Sequence, residues 1–178
     1  MSKLQTWWAE AHRPTVSGNQ QPWPSCRIMR IVEGGNLLIG ALIVTHGNLA
    51  FELLNAARQI EADVTGIEAV PLDWNDSVEV AREKIAAALE RTGRNGAVII
   101  FTDMFGGTPS NISLSFLEQG RIEIVTGVNL PMIVKFAMVK EEAKDVSTLA
   151  HVISEKGSKA IRVASDLLTA EKRAGVPV

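Results

Sequence analysis

The sequence has little of what disulfide-stabilised or nucleic-acid-binding proteins need. Its 178 residues contain one cysteine, Cys26, so no disulfide can form within the chain, which fits a reducing compartment. Lys and Arg total 18 against 20 for Asp and Glu, which gives a formal net charge of -2. This balance provides no basic excess to attract nucleic acid or an anionic membrane, and we expect no nucleic-acid partner.

Long apolar runs are also missing. The longest run, residues 37–44, is interrupted by Gly40 and is far shorter than the ~20 residues of a membrane-spanning helix. The N-terminus lacks the apolar core that a secretory signal needs. We therefore expect a cytoplasmic protein that meets a membrane only indirectly, through a partner.

The first 36 residues differ from the rest of the chain. They contain three of the four tryptophans and three of the seven prolines, and they sustain no helix or strand periodicity. We predict an irregular, disordered or loosely docked extension at 1–36, with a partner-docking segment as the alternative and Met29 as an alternative translation start. With 46% hydrophobic residues, the chain can form one domain with a substantial core, which we place at 37–165, followed by a tail at 166–178.

From residue 37, short apolar runs alternate with segments of helical periodicity. Predicted strands cover 37–45, 64–72, 97–102, 121–126 and 160–164, and predicted helices cover 48–62, 76–91, 108–119, 131–139 and 146–155. Asp76, three residues before Glu79, is interpreted as a helix cap. This alternation predicts an α/β domain with a mainly parallel open sheet and helices on both faces.

The ends of strands 1 and 3 are the positions to inspect most closely. In such sheets, ligands collect at the carboxyl ends of the strands, where the strand order reverses. If the order begins 2-1-3-4, this point lies between strands 1 and 3. It then brings residues 45–47, Thr-His-Gly, into the same crevice as residues 102–109.

His46 and Asp103 are the candidate catalytic pair. His46 follows strand 1 directly, and the positive end of the next helix favours the neutral, nucleophilic ring and attracts a phosphoryl group attached to it. Asp103 can accept a hydrogen bond from one ring nitrogen and leave the other free to attack. We expect Nδ1 to donate to Asp103 and Nε2 to carry the phosphoryl group, although the residues alone leave the choice of nitrogen open.

Gly106, Gly107 and Thr108 form a candidate phosphate-binding loop at the start of a helix. The glycines permit unusual backbone angles and close approach of a ligand. Thr108 suits a cap position and Pro109 the first helical position, so free amide hydrogens would point at phosphoryl oxygens. The Thr108 hydroxyl either contacts the phosphate or caps the helix.

Other chemistries lack their motifs. The chain has no Walker loop, no Gly-x-Gly-x-x-Gly after strand 1 and no Gly-x-Ser-x-Gly nucleophile elbow. No two histidines have metal-ligand spacing, and we expect neither a metal nor a cofactor, although a flavodoxin-like flavin binder stays open. His12 and His151 are interpreted as structural or surface residues. Asp73 and Trp74 are interpreted as loop residues beside the site, with partner contact as the alternative.

Three segments carry a family resemblance. They are residues 43–47 (Ile-Val-Thr-His-Gly), 101–111 (Phe-Thr-Asp-Met-Phe-Gly-Gly-Thr-Pro-Ser-Asn) and 127–132 (Gly-Val-Asn-Leu-Pro-Met). In this order they resemble the mannose-family enzyme IIA domain of the bacterial phosphotransferase system, and the resemblance covers 37–165.

The resemblance implies a phosphotransferase component that is phosphorylated on a histidine by the small protein HPr. The group then passes to an enzyme IIB that serves a sugar permease. His46 matches the phosphoacceptor, Asp103 the orienting carboxylate, and the loop 106–108 the phosphate-contacting segment. Thr45, beside His46, and Asn129, after strand 4, are the expected crevice-lining residues.

The resemblance also bears on partners. The chain ends at Val178 without room for a fused enzyme IIB, so we expect IIB to be a separate polypeptide. The alternatives are a regulatory phosphoacceptor read by a binding partner and a phosphoryl donor to a dihydroxyacetone kinase. The family implies a homodimer that exchanges a C-terminal strand. Residues 159–164 alternate polar and apolar side chains, as a half-buried strand does, but this pattern fits pairing within one chain equally well.

Overall fold

The computed structural model describes residues 38–94 and 96–166. Its elements are β1 (Leu38–His46), α1 (Leu49–Ile60), β2 (Ile67–Leu72), α2 (Val78–Thr92), β3 (Gly96–Thr102), α3 (Thr108–Leu114), β4 (Ile122–Thr126), α4 (Leu130–Val139), a 3-10 turn (Lys140–Glu142) and α5 (Val146–Lys159). In these ranges, no helix has both the length and the apolar character needed to cross a membrane. The predicted extension at 1–36, and all but the first residue of the predicted tail at 166–178, lie outside the described residues.

The four strands form one parallel sheet in the order β2-β1-β3-β4. The α/β class, the parallel sheet and the predicted strand order are therefore confirmed. His46 is level with Leu72 of β2, and Val44 is level with Thr102 of β3. This register brings the carboxyl ends of β1, β2 and β3 together at one edge of the sheet.

Helices cover both faces of the sheet, which explains why β1 is apolar at successive positions before Thr45. Ala41 and Ile43 belong to the core formed with α1, α4 and α5, whereas Leu42 and Val44 belong to the core formed with α2 and α3. All four side chains are fully buried. A strand buried on both faces needs apolar residues at successive positions instead of alternating ones.

Two helices, α3 and α5, differ from their predicted lengths. α3 ends at Leu114 and not at residue 119, because the Ser115 hydroxyl donates to the carbonyl of Ile112 at 2.7 Å and the chain turns. α5 continues to Lys159, a turn beyond the predicted end at residue 155. Gly157 in this added turn is buried where a Cβ would lie 2.5 Å from Cγ of Met132, so the glycine permits close packing of α5 on α4.

The cap of α2 is Ser77, and the prediction of Asp76 was wrong. The Ser77 hydroxyl accepts a hydrogen bond from the N–H of Val80 at 3.2 Å. The Asp76 carboxylate instead accepts from the N–H of Asp73 at 2.8 Å and from Nζ of Lys84 at 2.6 Å. Asp76 therefore closes the turn before the helix and does not cap it.

The strand predicted at 160–164 is not formed in this chain. Ala160 ends α5, residues 161–163 have no regular structure, and residues 164–166 are helical. Ile161 and Val163 are 78% and 63% exposed, because the longer α5 carries them past the sheet without a core to pack against. The described residues thus contain four parallel strands and no antiparallel edge strand after α5.

Candidate functional site

His46 is the last residue of β1 and lies at the carboxyl edge of the sheet. Gly47 turns the chain immediately, with a φ of 52° that favours glycine, and its N–H donates to the carbonyl of Leu72 at 2.8 Å. The His46 side chain is 21% exposed. The ring is therefore held by a rigid strand end and remains accessible to a partner.

Asp103 follows β3 and binds His46 through two hydrogen bonds to one oxygen. Its Oδ2 accepts from the backbone N–H of His46 at 2.8 Å and lies 2.7 Å from Nδ1 of the ring. Its Oδ1 accepts from the N–H of Met104 at 2.8 Å. An ionised carboxylate only accepts hydrogen bonds, so this contact places a proton on Nδ1 and leaves the lone pair of the neutral ring on Nε2.

The loop 106–108 lies beside the same ring. Gly106 has a φ of 83°, and a Cβ on Gly107 would lie 2.8 Å from Cε1 of His46 and 3.4 Å from Nε2. The predicted cap role of Thr108 was wrong, because Gly107 occupies the cap position and Thr108 is the first helical residue. Thr108 is exposed beside the loop.

Trp74 is a neighbour of His46 that the sequence interpretation treated as a loop residue. Its indole stacks on the imidazole with ring centroids 5.0 Å apart and an angle of 19° between planes. The signal for this contact was the predicted strand order, because β2 pairs with β1 and Leu72 is level with His46. A side chain two residues beyond Leu72 is therefore within reach of the histidine.

Thr45 lies beneath the site and not at its surface. Its side chain is fully buried, and Oγ1 accepts a hydrogen bond from the N–H of Ala50 at 2.8 Å. This bond satisfies a free donor in the first turn of α1 and fixes where the helix starts relative to His46. Thr45 thereby contributes to the geometry of the turn between β1 and α1.

Asn129 is placed one strand farther along the sheet, beyond β4. Its side chain caps α4 by accepting from the N–H of Met132 at 3.3 Å, and it donates to the carbonyl of Gly157 at 3.2 Å. It lines a cleft of about 200 Å³ between α4 and α5, together with Ser154 and Ile161 among others. The structure gives no direct contact between Asn129 and His46, whereas it brings Asp103, Gly107 and Trp74 to the ring.

The remaining candidates fall outside this cluster. His151 lies exposed on α5 with Nδ1 2.8 Å from the carbonyl of Ser147, and His12 lies outside the described residues. Within 38–94 and 96–166, no group of three His, Cys, Asp or Glu side chains is arranged to hold a metal ion. The chemistry that the cluster offers is nucleophilic attack by the free ring nitrogen, with the other nitrogen held by a carboxylate.

The fold and the site together define a class of protein: an α/β domain whose parallel sheet carries a carboxylate-bound histidine at its switch point. The sequence model of one family, EIIA-man, described as "PTS system fructose IIA component", matches residues 40–153. The chain belongs to this family and is therefore a component of a phosphotransferase system of the mannose type.

Individual relatives agree with the family assignment. The fructose-specific EIIA component of Bacillus subtilis is 27% identical over 77% of this chain and 94% of its own length. The mannose-specific EIIAB component of Escherichia coli K12 is 28% identical over 71% of this chain, but the match spans only 39% of that longer protein. The mannose/sorbose-specific IIA subunit from Enterococcus faecalis superposes with a TM-score of 0.64 at 25% identity, covering 70% of this chain and 92% of that one.

Proposed function

We propose that this protein is a cytoplasmic phosphoryl carrier of a sugar phosphotransferase system. It takes a phosphoryl group from phospho-HPr onto Nε2 of His46 and passes it to an enzyme IIB. The observation that carries the proposal is the contact of 2.7 Å between Nδ1 of His46 and Oδ2 of Asp103. This contact supports Nε2 as the nucleophilic nitrogen.

The accepting step exchanges one nitrogen–phosphorus bond for another. The lone pair of Nε2 attacks the phosphorus of the donor phosphohistidine, and the donor nitrogen keeps the electron pair of the bond that breaks. Nδ1 keeps its proton, so the phosphorylated ring of His46 carries a positive charge beside the carboxylate of Asp103. Transfer to enzyme IIB repeats the exchange with the acceptor's nucleophile attacking the same phosphorus.

The loop 106–108 is proposed to contact the phosphoryl oxygens. Support comes from the position of this loop. A Cβ built on Gly107 would point at the Cε1–Nε2 edge of the His46 ring. A glycine backbone at this place leaves room for the phosphoryl group and lets peptide N–H groups approach it. The exposed Thr108 hydroxyl is a further proposed donor to those oxygens.

The test is to map the phosphate. The protein is incubated with phosphorylated HPr, and the acid-labile phosphate is located by mass spectrometry. We expect one phosphorylated residue, His46, and no labelling of His46→Ala. His151→Gln serves as the matched control, since that histidine is exposed and remote from Asp103, and it should be labelled like the wild type. Labelling of His46→Ala would refute the proposed phosphoacceptor.

We also propose that the working form is a homodimer. β4 is an edge strand, since within the described residues it pairs in the sheet with β3 alone. The apolar side chains of Ile161 and Val163 are exposed after α5. A free sheet edge and a nearby unpacked apolar segment complement each other between two identical chains, and exchange of a segment is a low-cost route to a dimer.

A further inference from the structure

Trp74 combines high exposure with a specific contact. It belongs to neither hydrophobic core and is 79% exposed. Its indole nevertheless lies almost parallel to the imidazole of His46, with 5.0 Å between ring centroids. A large apolar side chain left at the surface forgoes the free energy of burial, so its contact with the candidate nucleophile calls for an explanation.

The turn that carries Trp74 fixes where the indole lies. Leu72 is level with His46 in the sheet, so the turn starts beside the histidine. The N–H of Asp73 donates to the Asp76 carboxylate at 2.8 Å, and the N–H of Asp76 donates to the carbonyl of Asp73 at 3.1 Å. These reciprocal bonds hold the backbone on both sides of Trp74. The position of its Cα is therefore fixed, although the side chain is exposed.

Three neighbours together define the orientation of the His46 ring. Asp103 binds Nδ1, Trp74 covers one face, and the backbone of Gly107 lies against the Cε1–Nε2 edge. A rotation of the ring about its bond to Cβ would break the bond to Asp103 and the stack with Trp74 at once. The indole thus adds a constraint perpendicular to the one that the carboxylate supplies.

We propose that Trp74 is a positioning residue that holds the His46 ring and stabilises its phosphorylated, positively charged form through the face of the indole. The inference rests on the proposed function. A positive charge over the face of an aromatic ring is attracted by its quadrupole, and tryptophan gives the strongest attraction. Asp103 acts on the ring at Nδ1, and Trp74 acts on its face.

The proposal has a consequence for the lifetime of the phosphorylated protein. In hydrolysis, water attacks the phosphorus, the Nε2–P bond breaks, and Nε2 keeps the electron pair. Both hydrogens of the water remain on the dihydrogen phosphate that leaves, and the ring returns to its neutral form with the proton still on Nδ1. Because Trp74 stabilises the charged ring, its removal should shorten the lifetime of phosphohistidine.

The first arm of the test needs no phosphoryl chemistry. In the full chain, the Cε1–H proton of His46 is followed by NMR and assigned by its disappearance in His46→Gln. Trp74→Ala should remove the ring-current shift of this proton, and Trp74→Phe should keep part of it. Met138→Ala, which truncates another exposed apolar side chain, on α4, should change nothing. An unchanged shift in Trp74→Ala overturns the stacking on which the proposal depends.

The second arm measures phosphohistidine itself. His46 is phosphorylated with phosphoramidate, a small chemical donor, and the loss of phosphate is followed by mass spectrometry. We expect a half-life about 2- to 10-fold shorter in Trp74→Ala, a comparable loss in the rate of transfer from phospho-HPr, and partial rescue in Trp74→Phe. Wild-type half-life and rate in both variants would overturn the proposal.

The two proposals fail differently. A wild-type chain that accepts phosphate from phosphoramidate but not from phospho-HPr would refute the proposed donor and leave the role of Trp74 to be decided by the half-lives. A chain in which the stack is seen by NMR but neither donor labels His46 would overturn both. If Trp74→Ala does not fold, the graded effect of Trp74→Phe decides, because that variant keeps an aromatic ring in the turn.

Discussion

Gly107 lies so close to His46 that a single added carbon would occupy space next to its ring. A Cβ at residue 107 would lie 2.8 Å from Cε1 of His46, closer than real Cβ contacts allow. The contacting atom belongs to a side chain, so the ring and not the backbone has to move. Gly107→Ala should therefore displace the ring from Asp103 while leaving the fold intact.

We expect Gly107→Ala to reduce phosphoryl transfer from phospho-HPr by up to about 100-fold, the scale for misplacing a reacting group by about 1 Å. Thermal unfolding should stay close to the wild type. Gly106→Ala is the matched comparison: nothing lies within 4 Å of its added carbon, but its φ of 83° strains any L-residue. That variant should lose stability by about 1–2 kcal/mol without moving the ring. Wild-type transfer in Gly107→Ala would show that the ring tolerates the displacement.

Asp103→Asn should slow transfer strongly. The carboxylate accepts from three N–H groups, two of them on His46 and one on Met104, whereas an amide offers only one oxygen. Its NH2 group must then face at least one donor. The amide also cannot stabilise the charged ring and selects the wrong tautomer when its NH2 faces Nδ1. Equivalent changes in a catalytic triad cost about 10⁴-fold.

We expect a smaller loss for Asp103→Asn, because the phosphoryl donor is already reactive. Single-turnover transfer from phospho-HPr measures it, with circular dichroism as the control for folding. A transfer rate equal to that of the wild type would make the carboxylate purely structural.

The pair of Asp76 and Lys84 should give the turn around Trp74 a pH-dependent stability. Lys84 Nζ lies 2.6 Å from Oδ2 of Asp76, and this hydrogen bond holds the pKa of Asp76 below its usual value of 3.8. A carboxyl group with a lowered pKa in the folded state stabilises the fold above its unfolded pKa, and the contribution is lost as the pH falls through the folded pKa.

Lys84→Met should therefore be less stable than the wild type at pH 6, and the difference should shrink below pH 3.8 as Asp76 becomes protonated in both proteins. Denaturant unfolding at several pH values measures the gap. Lys156→Met, at an exposed lysine on α5, is the control and should show no such dependence on pH. A gap of constant size from pH 3 to 6 would contradict the coupling to Asp76.

Lys140 should matter for stability and not for transfer. It is 6% exposed, and its Nζ donates to the carbonyl of Thr65 at 2.6 Å and to the hydroxyl of Thr65 at 3.0 Å. Thr65 precedes β2, so this contact lies at the opposite end of the sheet from His46. Lys140→Met keeps the apolar stem and removes the donor.

The expected loss for Lys140→Met is about 1–2 kcal/mol in the free energy of unfolding, the scale for losing a hydrogen bond to a charged group. Urea denaturation measures it. Transfer from phospho-HPr should match the wild type, and a reduced rate at unchanged stability would reveal coupling between the two ends of the sheet.

The proposed dimer predicts a concentration-independent mass of two chains at micromolar concentration. Light scattering measures this mass directly. The double variant Ile161→Asp and Val163→Asp should shift the protein towards monomers, since charges cannot enter an apolar contact without a large desolvation cost. Exposed Met138→Asp is the control. A wild-type mass of one chain at all concentrations excludes the dimer.

The sheet could be predicted because burial on both faces makes its central strands continuous apolar runs. β1 and β3 are recognisable in the sequence in this way, and their parallel orientation follows from the helices between the strands. The strands, their ends and their parallel orientation are consequences of periodicity and chain connectivity, which a single sequence contains. The proximity of His46 to Asp103 also requires the order 2-1-3-4, which the prediction assumed and the structure confirms.

The remaining features depend on contacts between distant elements. Trp74 stacks on His46 only because of the β1–β2 register and the hydrogen bonds of its turn. Ser77 instead of Asp76 caps α2, because both residues suit a cap and only the geometry of the turn decides between them. Asn129 follows its strand as expected, yet β4 is one position too far along the sheet for its side chain to reach the histidine.

The strand order β2-β1-β3-β4 also determines when the contact between His46 and Asp103 can form during synthesis of the chain. His46 leaves the ribosome with β1, but Asp103 follows 57 residues later, and β3 must insert beside β1 after β2 has already been made. Until that insertion, the nascent chain has an imidazole without the carboxylate that selects its tautomer. If the proposed function holds, a stalled or truncated chain lacking β3 should be a poor phosphoryl acceptor, and incomplete copies should consume few phosphoryl groups.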